Sequence, residues 1–250
     1  MNLQRIRKNK QLNTLLMHEC DIYFYEEVRA LQFVNNHEIY SMVCDAFAQD
    51  GSGGEYVFLE DGSIGFISSE GEVGRVAESV ESLLTFLIHA GCISDFNCKH
   101  FYRNKQLLDT FCTRYVMKMR ESYRAENRDW DEIRSGIAKE LALSFEPSEL
   151  ANFAMGFYQA AIREPVFSCK YFHEGTEYIC DSVLSDIVGM WIEKLVGMTK
   201  EEIEAHGKKF SKTYGNGPWK TDFEAMAHKT VVKKMLKWLP LSVEFLEMAN

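Results

Sequence analysis

Three lysines spaced four residues apart, Lys229, Lys233 and Lys237, end the most basic stretch of this sequence, and a Trp219-Lys220 pair opens it. Ammonium groups at that spacing can follow a row of phosphates, because each acts as a point charge that needs no register with the bases. An aromatic ring beside them can stack on an unpaired base for about 1–3 kcal/mol. His206 to Trp238 holds eight Lys against Asp222 and Glu224, a net of +6. Screening confines such a field to about 10 Å, so the cluster can attract a polyanion although the whole chain carries a net charge of −9. The candidate nucleic-acid contacts are therefore Trp219, Lys220, Lys229, Lys233, Lys234 and Lys237, with Tyr214 as a second ring. Two plainer readings stand beside this one. Charge alone favours a solvated helix face, and Trp219 serves equally well as a staple packed under a helix N-terminus.

The elements that must position these side chains begin at Gly197. Thr199-Lys200-Glu201-Glu202 reads as a capping box, followed by a helix from Lys200 to about Thr213. Tyr214-Gly215-Asn216-Gly217-Pro218 breaks it. A second capping box, Thr221-Asp222-Phe223-Glu224, predicts a helix from Asp222 to about Trp238, ahead of Pro240. On that helix Ala227, Val231, Met235 and Trp238 share one side, and Lys229, Lys233 and Lys237 span an arc of about 80° roughly opposite. The same pattern also suits two helices that fold back and cover apolar surface.

Other chemistry has less behind it. The sequence contains no Ser nucleophile elbow, no His-Glu-x-x-His and no paired carboxylates at an interpretable spacing, so no enzyme is expected. His89 and His173 lie in expected secondary structure without an evident acidic or thiol partner and read as structural. Seven scattered cysteines with no Cys-x-x-Cys argue against a disulfide framework. Cys92, Cys98 and His100 offer three soft ligands without a fourth at motif spacing, so no metal and no cofactor is expected.

With 250 residues and 46% hydrophobic content the chain has ample material for a core. No apolar run approaches the roughly 20 residues that cross a bilayer, and the basic start leads into no signal-peptide region. A cytoplasmic protein without membrane contact is expected. Charge divides unevenly: Met198 to Asn250 has nine Lys and no Arg against seven Asp and Glu, a net of +2, leaving −11 for Met1 to Gly197. An acidic surface of that size suits a basic protein partner.

Upstream, Asn2 to Gln49 reads as helical or mixed, with a strand at Ile22 to Tyr25. Gly54 to Leu59, Ser63 to Ser68 and Glu72 to Ala77 read as three strands of an antiparallel meander, separated by Asp61-Gly62 and Glu70-Gly71 turns. Ser79 is placed to cap a helix carrying Leu83, Leu84, Leu87 and Ile88 on one face. The run Asp50-Gly51-Ser52-Gly53-Gly54 lacks the Lys-Ser/Thr ending of a phosphate loop and precedes a strand, so it reads as a glycine-rich entry to the meander. Helices are expected over Arg114 to Arg128, Trp130 to Leu143, Leu150 to Ile162 with Ser148 as N-cap, and Val183 to Val196 closed by Gly197; Val166 to Cys180 reads as strand, with a turn at Glu174-Gly175. The predicted fold is α+β: a small antiparallel meander flanked by helices over 1–100, a mainly helical region over 101–197, and a helical tail over 198–250.

Two resemblances follow from these residues. Phe47 through Tyr56, the Glu60-Asp61-Gly62-Ser63 turn, Ser69 through Gly74 and the helix at Ser79 resemble the SUKH superfamily of Smi1/Knr4 type. The family-motif residues are Asp50, Gly51, Ser52, Gly53, Gly54, Glu55, Glu70, Gly71 and Glu72. That resemblance implies a non-catalytic binding module, similar to immunity proteins that neutralise a partner toxin; the chain lacks the family's Trp-x-x-Leu-Pro helix and Asn-Gly turn before Phe47. Met198-Thr199-Lys200-Glu201-Glu202-Ile203, then Gly217 through Val232, then Leu239-Pro240-Leu241-Ser242 resemble the C-terminal portion of the RecT family. This second resemblance implies contact with single-stranded DNA, and in complete members oligomers that pair complementary strands without ATP. It covers about fifty residues, and nothing upstream of Met198 resembles the family's β-rich half.

Overall fold

The computed structural model describes residues 3–31, 38–173, 175–185, 204, 208, 218–221, 223 and 226. It divides into two compact units, Met1–Asp186 and Ile187–Asn250. The fold of the first unit is α+β.

The first unit opens with α1 (Leu3–Lys8) and α2 (Lys10–Cys20), the latter capped by the Asn9 side chain and ended by Asp21 in the left-handed region at φ 50°. Strands β1 (Tyr23–Ala30), β3 (Cys44–Gln49), β4 (Glu55–Leu59), β5 (Ile64–Ile67) and β6 (Val73–Ala77) form one antiparallel sheet in that spatial order. The meander read from the sequence is thus its β4–β6 part. The sheet gains β3 and β1, which the expectation of a helical or mixed segment had not separated beyond Ile22 to Tyr25. A second sheet orders β2 (Glu38–Tyr40), β7 (Cys169–His173) and β8 (Thr176–Ile179), bringing together segments about 130 residues apart, from Tyr40 to Cys169.

Burial on both faces explains why β4 reads Glu-Tyr-Val-Phe-Leu rather than alternating with polar residues. Val57 and Leu59 join Met42, Ala46, Val73, Phe167 and Cys169 in a core between the sheets. On the other face Tyr56 meets Phe66 at a tilt, 4.8 Å between ring centroids, and Phe58 stacks on Phe47 at 4.2 Å.

The hairpins follow their turn residues. Gly62 and Gly71 adopt φ 84° and 96°, values open to glycine at little steric cost. The Asp61 carboxylate accepts the Ser63 N–H at 3.0 Å, and the Ser68 N–H bonds the Glu72 carbonyl at 2.9 Å. Asp50 Oδ1 accepts from the amides of Ser52 at 2.9 Å and Gly54 at 2.7 Å, so the Asp-Gly-Ser-Gly-Gly run is a self-bonded hairpin loop joining β3 to β4.

Helix α3 (Val80–Ala90) starts at Ser79 in a reciprocal capping box with Ser82 and packs on α7 (Leu150–Ile162), which lies against β6. Between them run α4 (Lys99–Tyr102), α5 (Lys105–Ala125) and α6 (Trp130–Glu140). Helix α5 begins nine residues before Arg114, because the Asn104 side chain caps it by accepting the Leu107 N–H at 3.1 Å. Ser148 is not the cap expected for α7: its hydroxyl donates to Glu146, and a 3-10 turn at Pro147–Glu149 leads into the helix. Val183 to Ser185 is not helical either; Ser182 bridges to Val73 and Ser185 to Cys98. The remainder of the expected 183–196 helix lies outside the described residues. Among the described residues, no helix is long and apolar enough to cross a membrane.

Candidate nucleic-acid interface

In the second unit, Pro218–Thr221 is helical (α8), and Phe223 and Met226 are helical too. Pro218–Thr221 is thus already helical, so Thr221 is not the N-cap expected. Proline at the first position carries a preset φ and has no N–H to leave unsatisfied, which makes it the stronger start signal. Trp219, Phe223 and Met226 then recur at i, i+4 and i+7 and share a face. Trp219 is 7% exposed, and its ring meets Phe223 edge-on at 6.1 Å. A ring so covered is packed, so of the two roles the sequence offered Trp219, this geometry fits the staple and not a stack on a base. Lys220, one residue round the helix, is exposed, as is Thr221. Lys208, exposed and helical, lies 3.9 Å from the half-buried Glu204 four residues earlier. Lys229, Lys233, Lys234, Lys237 and Tyr214 lie outside the described residues, as do the whole of the first expected capping box and Asp222 and Glu224 of the second.

The first unit treats its cations differently. Arg75 is fully buried: Nε donates to Ser63 Oγ at 2.8 Å, Nη1 to the Arg163 carbonyl at 2.9 Å, and Nη2 to Asp61 Oδ2 at 3.0 Å and the Pro165 carbonyl at 3.1 Å. Arg163 adds a second bond to Asp61 at 2.9 Å and one to Glu78 at 2.9 Å. Burial opposes the charge on Asp61, but donors from Ser63, then Arg163 and Arg75, outweigh it and hold this carboxyl well below the usual carboxylate range. Arg134, also buried, donates to the Leu87 and Ile88 carbonyls at 3.2 and 3.3 Å, near Glu19, which takes Tyr123 Oη at 2.6 Å and Arg128. Sequence reasoning passed over both networks. The available signal was an arginine within the apolar run Val-Gly-Arg-Val-Ala.

The residues on which the SUKH expectation rested make local structural contacts. Glu55 accepts from Arg29 at 2.8 Å and Tyr25 Oη at 3.0 Å, Gly51 N–H bonds Asp21 at 2.8 Å, and Glu70-Gly71-Glu72 forms the β5–β6 turn around Ser68. His89 is buried with both ring nitrogens engaged, Nδ1 with the Thr85 carbonyl at 2.7 Å and Nε2 accepting the Glu146 N–H at 2.9 Å. Burial pushes its pKa down, and those partners fix a neutral ring protonated on Nδ1. The side chain of His173 lies outside the described residues. Cys92 bonds Ser94 and Cys98 is buried; among the described residues no group of three or more His, Cys, Asp or Glu could hold a metal ion. A shallow groove of about 370 Å³ runs between α3 and α7 over Phe86, Phe153 and Phe157, and its rim carries Glu78 and Glu81.

Against this geometry the comparisons with known proteins fall on one side of the chain. Residues 190–250 match the RecT family. Protein RecT of Escherichia coli (strain K12) is 45% identical over 47 residues, 19% of this chain and 17% of that protein. Uncharacterized protein YqaK of Bacillus subtilis (strain 168) is 55% identical over 53 residues, 20% of this chain and 18% of that protein. The chain thus spans less than a fifth of the length of these curated relatives. No solved structure matches the chain. The family match starts at residue 190, and none of these matches supports the SUKH-type region expected upstream.

Proposed function

We propose that this chain is a non-catalytic cytoplasmic protein of prophage DNA recombination whose C-terminal unit contacts single-stranded DNA. The observation that carries the reading is the match of residues 190–250 to the RecT family. The surplus of six positive charges between His206 and Trp238 supports it, as does the exposure of Lys220. With Trp219 packed, phosphate contact by lysines is the main source of affinity, and such binding falls steeply with salt. Strand annealing is not part of the proposal, because it draws on the larger part of the relatives that this chain does not span. An anisotropy titration of a fluorescent single-stranded oligonucleotide across salt concentrations tests the reading. Affinity should fall as salt rises, and the triple variant K229A/K233A/K237A should lower the slope of log K against log [salt] by about 2 (roughly 0.7 per lost phosphate contact). Absence of binding at low salt would leave the unit without this role.

A second reading concerns the first unit, as a SUKH-type protein-binding module with a basic partner such as a toxin. It is supported by the net −11 over Met1 to Gly197 and by the hairpin loops at Asp50 to Gly54 and Glu70 to Glu72. Pull-down against toxins encoded beside this gene tests it, and failure to bind any of them while the fold is intact removes the immunity version.

A further inference from the structure

The register of the β7–β8 hairpin pairs Lys170 with Ile179, which sets Cys169 directly opposite Cys180. The Cys180 N–H donates to the Cys169 carbonyl at 2.9 Å, marking a closely bonded cross-strand pair. In such pairs the Cα atoms stand about 5.5 Å apart, inside the range of about 4.4–6.8 Å that a disulfide spans. Both side chains pack on the core between the two sheets, and all seven thiols of the chain are free. We infer that Cys169 and Cys180 form a thiol–disulfide site that exchanges with low-molecular-weight disulfides of the glutathione class.

The two thiols differ in access and in ionisation. Cys169 is 1% exposed, whereas Cys180 is only half-buried. Burial raises the pKa of Cys180, and a hydrogen bond from the Cys169 thiol counters part of that rise. Burial pushes Cys169 up to about 12, and its Sγ also lies 3.5 Å from the Lys170 carbonyl. Cys180 is therefore the attacking group. Its thiolate attacks one sulfur of the small disulfide, a Cys180–S–S–R bond forms, and one thiolate RS⁻ leaves and takes up a proton from solvent. Cys169 then gives its proton to solvent and attacks the Cys180 sulfur, which breaks the mixed disulfide and releases the second RS⁻. In sum two protein thiols are oxidised to one disulfide and one small disulfide is reduced to two thiols. Raised pKa values make the first step slow, and a cross-strand disulfide is of the strained kind that reduces readily. The bond ties β8, an edge strand exposed at all four residues, to the central strand of its sheet.

The test incubates the full-length protein with oxidised glutathione, alkylates the remaining thiols in denaturant, and counts them by mass spectrometry. Five alkylated cysteines of the original seven are expected, with a Cys169–Cys180 linked peptide and reversal by excess reduced glutathione. Cys44 and Cys92, which like Cys180 are partly buried, serve as internal controls and should stay alkylated. Cys169→Ser should stop at a glutathione adduct on Cys180, and Cys180→Ser should retain all its remaining thiols. Seven alkylated cysteines in the treated wild type, a link between another pair, or an adduct that persists on wild-type Cys180 would each overturn the inference. The wild-type count decides the matter even if a serine variant folds poorly.

Discussion

The cations of the two units are placed differently. In Met1–Asp186 the guanidinium groups of Arg75 and Arg163 converge on the same Asp61 carboxylate, while Arg128 and Arg134 lie beside Glu19. Their charge is consumed by the fold. Residues 206–238 of the second unit contain eight lysines and only two carboxylates, so most of that charge has no acidic partner within the stretch. Charge in excess of its acidic neighbours is what a phosphate chain needs, whereas paired charge locks segments together. Arginine suits the first task because its planar fork reaches several acceptors at once, and lysine suits the second because it needs no fixed geometry.

Removing a cation from each unit tests the contrast most directly. Arg75→Met should show the largest effect. It deletes four hydrogen bonds to oxygen from a fully buried group and leaves the carbonyls of Arg163 and Pro165 without those donors. Breaking a buried pair from one side costs about 3–5 kcal/mol, partly offset because Arg163 still holds Asp61. Urea unfolding followed by circular dichroism should show the midpoint falling by that amount divided by the slope, with the DNA salt dependence unchanged. Trp219→Ala comes next. Emptying a buried indole site costs about 3 kcal/mol, and it should speed hydrogen exchange of residues 218–226. If Trp219 instead supplied a stack on a base, the variant would weaken binding with no change in exchange.

His89 gives a smaller effect with a defined sign. Its folded pKa lies below the ordinary value of 6.5, so the unfolded chain takes up a proton first as pH falls. Stability is therefore fully present above pH 6.5 and declines below it, by at most about 1.4 kcal/mol per pH unit. Urea midpoints at pH 7.5 and 5.5 measure this difference, and His89→Gln should shrink it.

The difference between the units also bears on what the sequence could reveal. The β4–β6 hairpins were legible because Asp61-Gly62 and Glu70-Gly71 act over four residues, and the turn geometry follows from them alone. Strand β2 was not legible. Its three residues, Glu-Ile-Tyr, acquire a partner only when Cys169 to Tyr171 returns from the far end of the unit. The early start of α5 rests on the single Asn104 cap, a weaker sequence signal than the charged run after Arg114. In the candidate interface the lysine spacing and the RecT resemblance were both visible in sequence. The role of Trp219 was not, since packing and stacking use the same ring, and only its burial against Phe223 separates them.

The smallest effect isolates one unspent charge. Lys220 is exposed at the start of α8, next to the packed indole, and Lys220→Ala leaves helix propensity nearly unchanged. Its removal should therefore alter unfolding by less than about 0.5 kcal/mol, as expected for an exposed site. If Lys220 meets a phosphate, the salt slope of single-stranded DNA binding should fall by about 0.7, the value for one lost contact on a single strand. A fourfold rise in salt then weakens the variant about 2.6-fold less than the wild type. The same substitution at Arg75 should do the reverse, costing stability and sparing the slope. A slope unchanged by Lys220→Ala would move the contact surface to lysines further along the chain, while a loss of stability would mean that the cations of the second unit are spent on the fold after all.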